Sequence, residues 1–387
     1  MNNTELLLKY ILDDNIEKQT EIYNNNFDNI DKSYIYEKIK DIDNNSSCYN
    51  YLGYIYFKKE DYINAIKLFN MSIKLKNKIA MDNLAYMYHY GKGIEKDYNK
   101  AIELYEMAIK LNYSNSMTNL ANLYKYNKDI DNNYKKTIEL YEMAIKLNNS
   151  TAMVNLGIMY KTGEGVEQNY NKTIELYEQA IKLNNSFAML YLADMYKYGE
   201  GVEQDYNKTI ELYEQAIKLD NSVAIISLAD MYKYGEGVDQ DYKKAIELYE
   251  QAIKLDNSVA IISLADMYKY GEGVDQDYKK AIELYEQAIK LDNYNAINNL
   301  ISIKNLSKEN KKQIINLYKS MKNDLYMKIK LEKYIYTEIN ILEKYIDLTN
   351  KYKELKNNFK NLKEEIKYIP EYGEYFLKGK EEFNKLK

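Results

Sequence analysis

The feature that most restricts this chain is a 36-residue period. The phrase beginning at Ala188, AMLYLADMYKYGEGVEQDYNKTIELYEQAIKLDNS, returns with small changes. Its first residue falls at Ala80, Ser116, Ala152, Ala188, Ala224, Ala260 and Ala296. Residues 219–254 and 255–290 are identical, letter for letter. A strict period of this length, on a polar chain with helical spacing of apolar residues, predicts an array in which each unit touches only its neighbours.

Each unit reads as two antiparallel helices. In the unit from Ala188, Ser186 is the expected N-cap of the first helix. Leu192, Met195 and Tyr196, with Ala188 and Ala193, make an apolar stripe at helical spacing. Gly199 is placed to end that helix in a left-handed conformation. Gly201 lets the chain turn back, and Val202 plugs the gap between the helices. Asp205 is the expected cap of the second helix, whose inner side is Tyr206, Thr209, Ile210, Tyr213, Ala216, Ile217 and Leu219. The residue after it is Asp220, or Asn148 and Asn184 in earlier units, types that tolerate turn geometry. A lone hairpin has one packed face, and stacking supplies the second.

Two departures test the scheme. In the unit from Ser116 the Gly-x-Gly turn becomes Asn127-Lys128-Asp129, residue types expected to accept a positive φ. Upstream, Tyr49, Leu52, Gly53, Tyr56, Ala65 and Phe69 match the tetratricopeptide spacing, in a shorter hairpin that lacks the Gly-x-Gly insertion.

These residues carry a family resemblance. The elements L-[AG]-x-x-Y-x-x-G-x-G-V-x-x-D-x-x-K-A stand at Leu84, Tyr88, Gly91, Gly93, Ile94, Asp97, Lys100 and Ala101. They stand again at Leu192, Tyr196, Gly199, Gly201, Val202, Asp205 and Lys208. The pattern resembles the Sel-one-like repeat, a relative of the tetratricopeptide repeat. The resemblance implies an all-α, right-handed α-solenoid of stacked helix pairs that serves as an adaptor holding other proteins. The family's second-helix aromatic pair is Leu212-Tyr213 here, and its closing Gly is Asn or Asp, both read as packing and turn variants. The expected organisation is an N-terminal helical cap over 1–47, a short tetratricopeptide-like repeat over 48–79, and six repeats with the start of a seventh over 80–299. A Lys-rich helical region follows over 300–387. In the cap, Leu6, Leu7, Tyr10 and Ile11 form one helical face and Ile35, Tyr36, Ile39 and Ile42 another. In the last region Ile341, Tyr345, Leu348, Tyr352, Leu355, Phe359, Leu362 and Ile366 follow a heptad seam closed by Pro370.

Composition removes much chemistry. All 54 basic residues are Lys, and there is one His, one Cys and no Trp beside 45 Tyr. One Cys (Cys48) cannot form an intramolecular disulfide or a CxxC site, and one His (His89) cannot form HExxH. The absence of Arg leaves no bidentate guanidinium clamp. Gly91-Lys92-Gly93 lacks the phosphate-loop spacing, and carboxylate pairs such as Glu211 and Glu214 recur in every unit, which argues against a singular catalytic dyad. No catalytic residue, metal or cofactor is therefore expected. The net charge of −5 hides +7 over 301–387 and −12 over 1–300, so the body does not attract nucleic acid. The start of the chain has no basic region and no stretch approaches 18 apolar residues; the expectation is a cytoplasmic protein with no transmembrane segment.

Binding is expected on the first helices. Positions i, i+4 and i+7 of one face are Leu190, Asp194 and Lys197, then Ile226, Asp230 and Lys233, then Ile262, Asp266 and Lys269. Tyr198, Tyr234 and Tyr270 follow the Lys column. Because His89 is replaced by Lys in the next five units, that column is expected to face solvent. Asp194, Lys197, Tyr198, Asp230, Lys233, Tyr234, Asp266, Lys269 and Tyr270 are thus the candidate groove for a protein or peptide partner. The rival reading is an assembly protein that self-associates through its C-terminal helix.

Overall fold

The computed structural model describes residues 3–13, 32–42, 44–127, 133–291, 293, 295–303, 344, 347–348 and 350–357. Every regular element among them is an α-helix. The chain divides into two compact units, 1–221 and 222–387.

In the first unit, α1 (Asn3–Leu12) and α2 (Lys32–Ile39) pack on α3 (Ser46–Lys58). Leu7, Ile11, Ile35 and Ile39 are fully buried there against Cys48, Tyr51, Leu52 and Ile55. Cys48 is thus a small core side chain. The side chains of Leu6 and Tyr36 lie outside the described residues. Helix α3 pairs with α4 (Tyr62–Lys74), and four longer repeats follow: α5 (Lys78–Tyr90) with α6 (Tyr98–Ile109), α7 (Ser114–Tyr126) with α8 (Tyr134–Ile145), α9 (Ser150–Thr162) with α10 (Tyr170–Lys182), and α11 (Ser186–Tyr198) with α12 (Tyr206–Ile217). Within this unit each pair also packs on the one before it. The second unit holds α13 (Ser222–Tyr234) with α14 (Tyr242–Ile253), α15 (Ser258–Tyr270) with α16 (Tyr278–Lys290), and the single helix α17 (Asn295–Ile301), which packs on α16 through Ala296 and Leu300.

Local chemistry sets the helix ends. Asp205 accepts the Lys208 backbone N–H at 3.0 Å, and Gly199 ends α11 at φ 69°. The second helices close on Asn112, Asn148, Asn184, Asp220 and Asp256, all left-handed at φ between 54° and 56°. Asn and Asp pay little for that geometry, which is why they replace Gly. Three expectations are corrected. The N-cap of α11 is Asn185, whose side chain accepts from Phe187 N and Ala188 N. Asn127 is extended (φ −89°, ψ 115°) and the chain leaves α7 without a left-handed residue; residues 128–132 lie outside the described set. Leu219 is 42% exposed at the end of the second helix.

Three devices tie neighbouring repeats. The N-cap Asn reaches the first Ser of the previous first helix: Asn149 Nδ2 donates to Ser114 Oγ at 3.2 Å, Asn185 to Ser150 at 3.0 Å, Asn257 to Ser222 at 2.9 Å and Asn293 to Ser258 at 3.0 Å. The residue expected to cap the helix is instead the acceptor for the next repeat's cap. The second Gly of the turn packs on the first Tyr of the previous second helix. A Cβ on Gly201 would lie 2.3 Å from Tyr170, and one on Gly273 2.1 Å from Tyr242. The third device is an ion pair at the candidate site.

The two glycines of one turn therefore differ in kind. Gly201→Ala meets both a positive φ and the Tyr170 ring, and is expected to cost about 2–4 kcal/mol. At Gly199 the nearest atom to an added Cβ is 3.6 Å away. Gly199→Ala should lose only the backbone part, about 1 kcal/mol. Urea denaturation of the two variants checks the order.

Candidate functional site: the first-helix columns

The Asp column serves the interior. Tyr105, Tyr141, Tyr177, Tyr213, Tyr249 and Tyr285, one per second helix, are among the largest fully buried side chains. A buried phenol must donate its proton or forfeit about 1–3 kcal/mol. Tyr213 Oη donates to Asp194 Oδ1 at 2.5 Å, and Tyr249 and Tyr285 donate in the same way to Asp230 and Asp266. In α7 the acceptor is Asn122, 2.5 Å from Tyr141 Oη. Where the column instead holds Ile158 or Tyr86, the hydroxyls of Tyr177 and Tyr105 have no partner among the described residues. Burial raises the Asp194 pKa, against the pull of Tyr213, Lys161 and Lys197.

The Lys column corrects the expectation of solvent exposure. Lys125, Lys197, Lys233 and Lys269 are buried. For Lys125, Lys161 and Lys233 the ammonium meets an acid from the Gly-Glu-Gly turn of the following repeat. Lys125 Nζ is 3.0 Å from Glu164, Lys161 2.6 Å from Glu200, and Lys233 2.9 Å from Glu272. Burial works against the Lys233 ammonium, but the Glu272 carboxylate more than offsets it and its pKa is raised. Lys269 has no such turn after it in the sequence, and its Nζ is 2.8 Å from Ser302 Oγ. In the Lys–Glu pairs the acid sits 39 residues downstream, so a column read within one helix could not reveal it.

His89 fits the same logic. The residue 39 positions on is Lys128 rather than an acid, and the position that is Lys in later repeats is a His here. His89 is half-buried and stacked on Tyr90 at 4.1 Å, and its Nδ1 has no partner among the described residues. Burial, then Lys96, depress its pKa to about 4, so it is neutral near pH 7. It does not face solvent as its column neighbours were expected to.

The exposed member of the set is Tyr. Tyr198, Tyr234 and Tyr270, the last residues of their first helices, are 62%, 66% and 60% exposed. Each ring lies beneath the ammonium of its own Lys neighbour, at 5.2 Å for Lys197, 5.1 Å for Lys233 and 4.6 Å for Lys269. Gln204, Gln240 and Gln276 fold the turn back by donating to the carbonyls of Lys197, Lys233 and Lys269 at 2.7–2.8 Å. The Tyr is thereby presented on a fixed helix end, its Lys anchored from below. The described residues contain no group of three or more His, Cys, Asp or Glu able to hold a metal ion, and no helix long and apolar enough to cross a membrane.

Stacked helix pairs tied by these contacts define an α-solenoid repeat protein. The Sel1 repeat model matches residues 78–113, 114–149, 150–185, 186–221, 222–257 and 258–293, more than half of the chain, and a tetratricopeptide repeat matches 46–79. The chain belongs to the Sel1 repeat family. It is similar to a Sel1 repeat protein from Oxalobacter formigenes, with 26% identity and a TM-score of 0.54 over 62% of this chain and 98% of that one. It also shares its fold with yeast Tom70, at 20% identity and a TM-score of 0.51 over 80% of this chain and 66% of that one. A search of curated proteins found no match.

Breaking a buried pair costs about 3–5 kcal/mol, and the 34% exposure of the Glu272 side chain reduces that. Lys233→Ala is expected to cost about 2 kcal/mol by urea denaturation, and Lys233→Met, which keeps the packed stem, less.

Asp82 is buried in α5, accepting from Ser116 Oγ at 2.6 Å and Asn119 Nδ2 at 3.1 Å. Burial pushes its pKa up to about 6, against those hydrogen bonds. A raised acid holds a proton in the folded state, so its stabilisation is complete below 3.8 and is lost as pH rises through about 6. The depressed His89 contributes stability above 6.5 that is lost as pH falls through about 4. The two slopes oppose each other between about pH 4 and 6. Asp82→Asn should make stability rise more steeply with pH in that window, and His89→Gln should make it fall. Denaturation midpoints at half-unit steps check both signs.

Proposed function

We propose that this protein is a non-enzymatic scaffold that holds a protein or extended peptide along its first-helix face, as Sel1 and tetratricopeptide repeats commonly do. The observation that carries the reading is the exposed Tyr column. Tyr supplies a large amphipathic contact at low entropic cost and is enriched at binding hot spots. A ring held on a helix end beneath an anchored ammonium is already ordered before a partner arrives. Tyr198, Tyr234 and Tyr270 are therefore the proposed contacts. Lys197, Lys233 and Lys269 act through the charge over each ring, and Asp194, Asp230 and Asp266 act chiefly by holding the core Tyr. The acidic charge of residues 1–300 favours protein over nucleic acid. A cytoplasmic location goes with the single, buried Cys48.

A second reading rests on the tail. Leu348, Tyr352 and Leu355 lie on described helical residues and are 67–68% exposed, an uncovered seam suited to self-association. The other seam positions, Ile341, Tyr345, Phe359, Leu362 and Ile366, and Pro370, lie outside the described residues.

The full chain, used as bait, should retain a partner identifiable by mass spectrometry. The double variant Tyr234→Ala, Tyr270→Ala should lose at least about tenfold in affinity with unchanged circular dichroism. Retention unaffected by that variant but abolished by Leu348→Asp with Leu355→Asp, together with a fall in mass by light scattering, would favour the tail.

A further inference from the structure

The first-helix face changes character where the short hairpin meets the first long repeat. Here the position that later holds Asp194, Asp230 and Asp266 is Tyr86, and the ion-pair position is His89. Tyr86 packs edge-on against Phe57 at 6.3 Å, Phe57 against Tyr62 at 5.8 Å, and Tyr86 against Tyr90 at 4.5 Å. Phe57 and Tyr86 border a cavity of about 230 Å³ lined also by Tyr54, Lys58, Phe69 and Asn83. Asn83 is fixed by donating to Asn50 Oδ1 at 2.9 Å, and Tyr86 is 39% exposed.

The lining dictates the ligand. The four aromatic residues of the lining, Tyr54, Phe57, Phe69 and Tyr86, favour a bulky apolar group. The volume is below the range of about 300–1,000 Å³ typical of small-molecule pockets and suits one side chain. Lys58 is the one charged residue of the lining. It is exposed, its ammonium lies 5.5 Å from the Tyr54 ring centroid, and no carboxylate pairs with it among the described residues. An acid beside the entering side chain would complete it, whereas a basic neighbour would be repelled.

We propose that this cavity is an anchor site that takes one bulky apolar side chain of a partner peptide, with an acidic residue next to it in the partner held by Lys58. The inference rests on the scaffold reading and names where on the first-helix face that scaffold grips and what it grips. The site lies wholly in the first unit, remote in sequence from Tyr234 and Tyr270.

The test uses the full-length protein and three fluorescein-labelled capped peptides read by anisotropy. One carries a single phenylalanine between pairs of glutamates, one replaces the phenylalanine by alanine, and one replaces the glutamates by lysines. The glutamate–phenylalanine peptide should bind at least about tenfold more tightly than either control. Tyr86→Ala should remove that preference for phenylalanine, and Tyr234→Ala should leave it unchanged. Lys58→Glu changes an exposed residue, does not threaten the fold, and should reverse the preference between glutamate and lysine peptides. Equal binding of the phenylalanine and alanine peptides, or an unreversed charge preference in Lys58→Glu, overturns the proposal. Loss of the site with Tyr234- and Tyr270-dependent capture of a partner intact overturns the anchor alone and leaves the scaffold reading in place.

Discussion

The fold depends on contacts between one hairpin and the next. Each pair of helices has a buried side that it cannot cover by itself, so the repeat interface supplies what a separate core would supply in a globular domain. That interface is polar at defined points as well as apolar. The Asn cap of one repeat bonds to the Ser of the one before, as Asn185 does to Ser150, and the turn Glu of one repeat meets the buried Lys of the one before, as Glu164 does for Lys125. The second turn Gly leaves room for a Tyr of the previous second helix, as Gly201 does for Tyr170. These contacts are directional, and each matches only a neighbour in the correct register. Apolar stacking alone would tolerate a slip, whereas a slip here would strand an ammonium, an amide and a ring together.

The same demand explains the division of labour along a first helix. Residues that carry charge are drawn inward where the next repeat offers a counter-charge or the second helix of the same repeat offers a buried phenol, so Lys233 and Asp230 are committed to structure. What remains for a partner is the residue that the interface does not use, the Tyr at the helix end. Departures from the pattern are therefore the informative positions. Where Asp is replaced by Tyr86 and Lys by His89, the surface becomes an aromatic run beside a cavity.

Much of the local structure was legible in the residues. The period, the hairpin within it, the left-handed Gly199, the cap at Asp205 and the turns at Asn148, Asn184 and Asp220 all follow from short-range rules on backbone sterics and helix ends, and all are present. The cap of α11 was not legible: Ser186 was the expected residue, and Asn185, an equally good capping type, holds the place. The choice between them is made by the next repeat, whose Asn221 takes Ser186 as its acceptor.

The sequence by itself determined that this is an all-α array of stacked hairpins, since a repeating apolar stripe on units too small to stand alone leaves one way to bury it. Only the tertiary structure decided which polar side chains face water. Helical spacing tells which residues share a face, but whether Lys233 on that face is a contact surface or a buried tie depends on Glu272, 39 residues away in another hairpin. That distance spans a complete repeat, and a charge is affordable inside only where its counter-charge arrives with it.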